Sequence, residues 1–247
     1  MRRLIFVYYL PLDASLERLY AIDYLAASGI PVEWWDLSAA YGMGSAARAP
    51  LTRAFVRRFE SREAFRGEVG AAARDGASFV AVFPYEPRTI GAYRTLTATG
   101  APLYYYAVGM QPTPEGSLAR RAGSQLDYLF RPRKLLNFLG RRAGTVLRRA
   151  GFVKPYDAVF AAGEAAAGAY PARRVVAVNH PDYDERLAAG HQPTPVAGRY
   201  AVFLDENMAG HPDLTVLGVA PIDADRYHAA LDAFFTALER RHGLRVV

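Results

Sequence analysis

Apolar and polar positions fall into alternating blocks along the chain, and the blocks differ in period. Leu4–Tyr9 is a short unbroken apolar run ended by Pro11, which predicts a strand. Leu16, Leu19, Tyr20, Ile22 and Leu25 recur at helical spacing, with Gly29 beyond them, so Leu16–Ala27 is predicted as one amphipathic helix. Pro31–Leu37 reads as the next strand and Phe55–Phe59 as a short one. Ser61 stands as N-cap to a helix that ends at Gly76. Ser78–Phe83 is a strand, Thr89–Thr99 a helix and Pro102–Val108 a further strand. Strand and helix alternate with short joints over this half, which predicts an α/β fold with an open, doubly wound, Rossmann-like parallel sheet.

Beyond a Pro/Gly loop at Gln111–Gly116, the pattern predicts helices at Leu118–Leu129 and Leu135–Arg149. Strands follow at Asp157–Ala161 and Arg174–Val178, with a small-residue turn and helix at Gly163–Ala169 between them and a short helix at Asp182–Ala189 after. Gly190–Gly198 has the composition of a linker. Tyr200–Leu204, bounded by Gly198 and by Asp205–Glu206, reads as a buried strand, followed by a helix over Asp225–Arg241 and a strand beginning at Leu244. The expected organisation is therefore a first domain over 1–190, a linker over 191–198 and an incomplete second Rossmann-like domain over 199–247.

Composition changes this picture little. With 51% apolar residues the chain can bury a sizeable core, and it has no cysteine for a disulfide framework or thiolate chemistry. No apolar run approaches the roughly 18 residues of a membrane-spanning helix. Charge is more informative. Arg120–Lys154 carries +9 against a whole-chain +6, leaving the rest of the chain slightly acidic. Within it Arg133, Lys134, Arg141, Arg142, Arg148 and Arg149 flank an apolar stripe, a pattern suited to an anionic membrane surface or a lipid-linked pyrophosphate, or to a surface helix packing on the core. Aromatic residues are not interleaved with the patch, which argues against nucleic acid.

Open α/β sheets place ligands beyond the carboxyl ends of their strands. Those positions carry Tyr8, Tyr9, Tyr85, Glu86, His180, Asp205 and Glu206. Asp205, Glu206 and His211 lie close together after a strand, where a carboxylate or imidazole serves as general base on an acceptor hydroxyl or as part of a solvated hinge. Gly42-x-Gly44-x-x-Ala47 matches a dinucleotide fingerprint only literally, since it follows the second strand and no strand–turn–helix frames it. Asp182-Tyr-Asp184 and Asp223-Ala-Asp225 each precede a helix, and capping is the expected role ahead of holding a divalent cation. The histidines have no zinc-ligand spacing, so no metal and no cofactor is expected.

Phe6-Val-Tyr-Tyr, Trp34-Trp-Asp-Leu, Asn179-His-Pro-Asp-Tyr-Asp184, Tyr200-Ala-Val-Phe-Leu-Asp-Glu and the pattern Tyr227…Phe234-Phe235…Leu238-Glu239…Gly243-Leu244-Arg-Val-Val247 resemble bacterial capsule and lipopolysaccharide biosynthesis proteins of the glycosyltransferase-like kind. The resemblance implies a GT-B architecture, in which an N-terminal domain takes the glycan acceptor and a C-terminal domain the nucleotide-sugar. It implies catalysis from Asp205, Glu206 or His211, with Tyr8, Tyr9, Tyr85, Glu86 and His180 on the acceptor side and the basic segment toward a membrane. Such proteins run on past Val247 into a His-Pro loop and further βα units, so truncation of the second domain is expected. The location implied is cytoplasmic, with peripheral contact at the inner face of the membrane. A non-catalytic Rossmann-like scaffold of a polysaccharide assembly, and a sugar-nucleotide epimerase, are the rival readings.

Overall fold

A computed structural model describes residues 2–43, 50–83, 85, 88–108, 146, 151–190, 196–205, 208–210, 220 and 222–247. Contacts divide the chain into two compact units, one built from residues up to Asp184 and one from Glu185–Val247.

The first unit is a seven-stranded parallel sheet. Its strands are β1 (Arg3–Tyr8), β2 (Val32–Asp36), β3 (Val56–Arg58), β4 (Ala77–Ala81), β5 (Leu103–Ala107), β6 (Ala158–Ala161) and β7 (Val175–Ala177), in spatial order β3-β2-β1-β4-β5-β6-β7. The chain winds outward from β1 in one direction, then returns to β4 and winds outward in the other. This is the doubly wound, Rossmann-like order, and its switch point lies between β1 and β4. Register is set by alternation. Ile5, Val7, Trp35, Phe79 and Ala81 enter one core cluster, while Leu4, Phe6, Trp34 and Val80 enter the other.

Right-handed crossovers that travel in opposite directions put their helices on opposite faces. Helices α1 (Ala14–Leu19) and α2 (Ile22–Ala27) cover the second face through Leu16, Ile22 and Leu25. Helices α3 (Arg62–Arg74), α4 (Ile90–Ala98) and α5 (Glu164–Ala169) cover the first through Phe65, Val69, Tyr93, Leu96 and Ala166. Ser61 caps α3 as expected, its hydroxyl accepting from Ala64 N–H at 3.1 Å.

Three expectations need correction. The single helix over Leu16–Ala27 is two short ones, because Ala21 adopts a left-handed backbone, φ +46°. The apolar run at Tyr200–Leu204 forms only a two-residue strand, β8 (Tyr200–Ala201), and Val202 and Leu204 are 60% and 85% exposed rather than buried. Asp182 and Asp184 stand inside α6 (Pro181–Ala189), where His180 Nδ1 accepts the Asp182 N–H at 3.3 Å. The two acids complement the helix dipole instead of capping it. Of the helices expected over Leu118–Leu129 and Leu135–Arg149, only Val146 is described, and it is helical.

In the second unit β8 pairs in parallel with β9 (Arg245–Val246), across α7 (Ala224–His242). Asp223 caps α7 by accepting from Arg226 N–H at 3.0 Å, and Gly243 closes it in the left-handed conformation. Phe203 packs on Phe235 with ring centres 4.9 Å apart. No described residue of this unit is buried. No helix among the described residues is long and apolar enough to cross a membrane.

Candidate functional site at the sheet switch point

Strands β1, β2 and β4 deliver their carboxyl ends to the switch point. Tyr8 closes β1 and is followed by Tyr9, which is 6% exposed. Asp36 closes β2, and Phe83 and Tyr85 follow β4. The Tyr9 ring lies 6.2 Å from Phe83, 6.3 Å from Tyr41 and 4.9 Å from Tyr8. Tyr85 leans on Tyr93 of α4 at 5.2 Å. Aromatic rings thus form a cluster at this edge, with Tyr9 and Phe83 in the core and Tyr8, Tyr41 and Tyr85 half-buried against it.

Two guanidinium groups complete it. Arg62 opens α3 and sits 4.3 Å from the centre of the Tyr41 ring. Arg88, just before α4, sits 5.1 Å from the centre of Tyr9. Both helices follow strands that end at this edge, so the fold delivers both cations to the same rim. Each stacks on a tyrosine face, where the ring quadrupole attracts it. Burial raises the Tyr41 phenol above its ordinary pKa, against a smaller lowering by Arg62, so Tyr41 is neutral at physiological pH. Helix α4 opens with no side-chain cap from Thr89 on its first N–H groups, which favours negative charge there.

Asp36 is the acid of the crevice and is 1% exposed. Its Oδ1 accepts the Ser38 N–H at 2.8 Å, and Arg58 Nε lies 3.4 Å from Oδ2, an ion pair without hydrogen-bond alignment. The carboxylate therefore fixes the turn after β2. An acid in this place holds a ribose in dinucleotide-binding Rossmann folds, alongside a glycine-rich first turn. Here the first turn carries Tyr9 and Leu12, 6% and 1% exposed, in place of glycines that would let a pyrophosphate approach the backbone. The standard dinucleotide mode does not fit this edge.

The structure brings Tyr8, Tyr9 and Tyr85 to one edge of the sheet. His180 follows β7, four strands from β1, or about 19 Å across the sheet. It contacts Asp182 at 3.3 Å instead. Asp205 belongs to the second unit and accepts the Tyr227 hydroxyl at 2.9 Å. Glu86, Glu206, His211, Arg133, Lys134, Arg141, Arg142, Arg148 and Arg149 lie outside the described residues. Arg62, Arg88, Tyr41 and Asp36 were missed by sequence reasoning. The usable signal was an arginine placed just before or at the first turn of a helix that follows a strand.

No cluster of His, Cys, Asp and Glu able to hold a metal occurs among the described residues. No protein-family model matches the chain, and neither does any curated protein or solved structure.

Proposed function

We propose that the protein is a glycosyltransferase-type enzyme of surface-polysaccharide assembly, whose first unit holds the sugar or glycan acceptor at the β1/β4 switch point. The observation that carries this reading is the pair of arginine-on-tyrosine stacks at the carboxyl edge of the sheet, Arg62 on Tyr41 and Arg88 on Tyr9. Aromatic faces suit the apolar faces of sugar rings, and the guanidinium groups suit hydroxyls and carboxylates. In this reading a general base takes the proton of the acceptor hydroxyl as it attacks the anomeric carbon, and the diphosphate leaves with the bonding electrons. The basic segment around Arg141 and Arg142 docks on an anionic membrane at the cytoplasmic face.

Saturation-transfer NMR with a gluco-oligosaccharide and, separately, with UDP-N-acetylglucosamine tests the binding step. The oligosaccharide is expected to show saturation that Tyr41→Ala removes. Absence of transfer from either ligand, or transfer that Tyr41→Ala leaves intact, overturns the assignment. Turnover is then followed as release of UDP in the presence of the oligosaccharide.

A non-catalytic binding protein is the second reading, favoured by one observation. Among its described residues the β8–α7–β9 unit pairs two strands and buries no side chain, so these residues enclose no nucleotide-sugar site. UDP release separates the two readings, because a binding protein gives oligosaccharide saturation and no release.

A further inference from the structure

Helices α3 and α4 both start at the switch-point edge and run side by side over the first face of the sheet, leaving a groove between them. Arg66 and Arg74 line it from α3, and Arg94 from α4. No carboxylate lines it among the described residues. Two acids of this helix end elsewhere: Glu68 pairs with Arg57 at 2.7 Å, and Asp75 with Arg3 at 3.6 Å, while Glu63 stands one turn before Arg66. Arg66 and Arg74 make no ion pair among the described residues, and Arg94 lies over Phe152 at 5.5 Å. The space between them is open, since a Cβ added at Gly70 or Gly91 would meet no atom within 4 Å.

Arg62, Arg66 and Arg74 are spaced by four and eight residues, so they share one face of α3. That row spans about 18 Å and begins at the Arg62–Tyr41 stack of the crevice. It is too long for a single phosphate or diphosphate and is laid out for a chain bearing repeated negative charges. No described lining residue is aromatic, and the one exposed ring beside the groove, Phe152, is covered by Arg94, so the walls offer no run of planes on which nucleic-acid bases could stack. The one large apolar side chain lining the groove, Val69, is itself fully buried, so there is no anchor site for an amphipathic peptide helix. A concave channel does not match a flat lipid surface.

We infer that the α3–α4 groove binds an acidic glycan chain, its uronic-acid carboxylates paired with Arg66, Arg74 and Arg94. This inference rests on the acceptor reading of the crevice and names the class of acceptor: an anionic polymer whose reacting end reaches the switch point while its body follows α3. Arginine forks match carboxylates in two-point geometry, so uronates suit the row.

The test is calorimetric titration of the full chain with an oligogalacturonate. The same oligosaccharide with its carboxyls reduced, oligo-dT, and vesicles of phosphatidylglycerol in phosphatidylcholine are the comparators. Oligogalacturonate is expected to bind, more weakly as salt rises. Combined Arg66→Gln, Arg74→Gln and Arg94→Gln is expected to lower its affinity by about tenfold or more, while Arg18→Gln on the opposite face of the sheet leaves it unchanged. Gly70→Leu fills the groove, keeps every arginine and favours the helix, and is expected to block binding as well. The inference is overturned if oligogalacturonate does not bind, if the triple variant or Gly70→Leu retains wild-type affinity, or if oligo-dT or vesicles bind in its place. The crevice is read separately, because Tyr41→Ala removes saturation of a neutral oligosaccharide whether or not the groove binds uronate.

Discussion

The Tyr93 hydroxyl lies 2.7 Å from the carbonyl oxygen of Phe83 and 2.5 Å from the hydroxyl of Tyr156. Tyr93 has one proton and donates it to the carbonyl, so Tyr156 is the donor in the second bond. The pair joins the exit of β4, the body of α4 and the approach to β6 within the buried layer. Removing the Tyr93 hydroxyl strips the Phe83 carbonyl of this donor and Tyr156 of this acceptor. Tyr93→Phe is expected to destabilise the first unit by about 1–3 kcal/mol, and Tyr156→Phe by about 1 kcal/mol. Urea titrations of the singles and the double should give a non-additive cycle, and additive losses would refute the coupling.

Ala21 is the one described non-glycine residue with positive φ. The left-handed region costs an L-residue about 1–2 kcal/mol, and Ala21 is exposed, so no packing offsets the strain. Ala21→Gly is expected to stabilise the unit by about 0.5–1 kcal/mol after the backbone-entropy penalty of glycine. The midpoint of urea unfolding checks this, and a lower midpoint would show that the break between α1 and α2 is not strained.

Asp157 ties the start of β6 to β5. Its Oδ2 accepts from Leu103 N–H at 2.9 Å and from Lys154 Nζ at 2.8 Å, and Arg173 lies 3.3 Å from Oδ1. Partial burial opposes its charge, but the Lys154 and Leu103 hydrogen bonds and the two cations outweigh it and hold the carboxyl below its ordinary pKa. The folded state therefore binds this proton less readily than the unfolded chain. The stabilisation is complete above the ordinary carboxylate range, near 4, and disappears as pH falls through the lower folded value. Wild type should lose stability toward Asp157→Asn across that acid limb and exceed it at neutral pH. Parallel curves for the two proteins would remove Asp157 from the account.

At the crevice, Arg62→Gln and Arg88→Gln are each expected to weaken an anionic sugar ligand by about tenfold, with thermal midpoints within a few degrees of wild type. A calorimetric titration with glucuronate oligomers gives the first quantity and a melting curve the second. Loss of binding only in step with loss of fold would make the two stacks structural.

How much of this was legible follows from what kind of information each feature needs. Strands β1, β2, β4 and β5 announce themselves, because a strand covered by helices on both faces is apolar over most of its length, as the runs at Ile5, Trp35, Phe79 and Tyr105 are. The caps Ser61 and Asp223 are local, so the pattern found them. The break at Ala21 was illegible, since alanine is the strongest helix former and carries no turn signal. Tyr200–Leu204 misled for the opposite reason: its composition describes a strand with cover on both faces, and the cover is not among the described residues. The crevice is non-local. Arg62 and Tyr41 are 21 residues apart and Arg88 and Tyr9 are 79 apart, and only the strand order brings each pair together.

The adjacent pair Trp34 and Trp35 makes the first unit its own optical reporter. They are the only tryptophans in the chain and sit side by side on β2, yet the pleat sends them to opposite sides of the sheet. Trp35 donates its indole N–H to Glu33 at 2.7 Å, while the Trp34 N–H meets no acceptor among the described residues. Tryptophan emission on unfolding therefore follows the parallel sheet of the first unit. A Trp34→Phe or Trp35→Phe protein would light one layer at a time, so the order in which the two helical layers detach could be timed in a stopped-flow cell without any added dye.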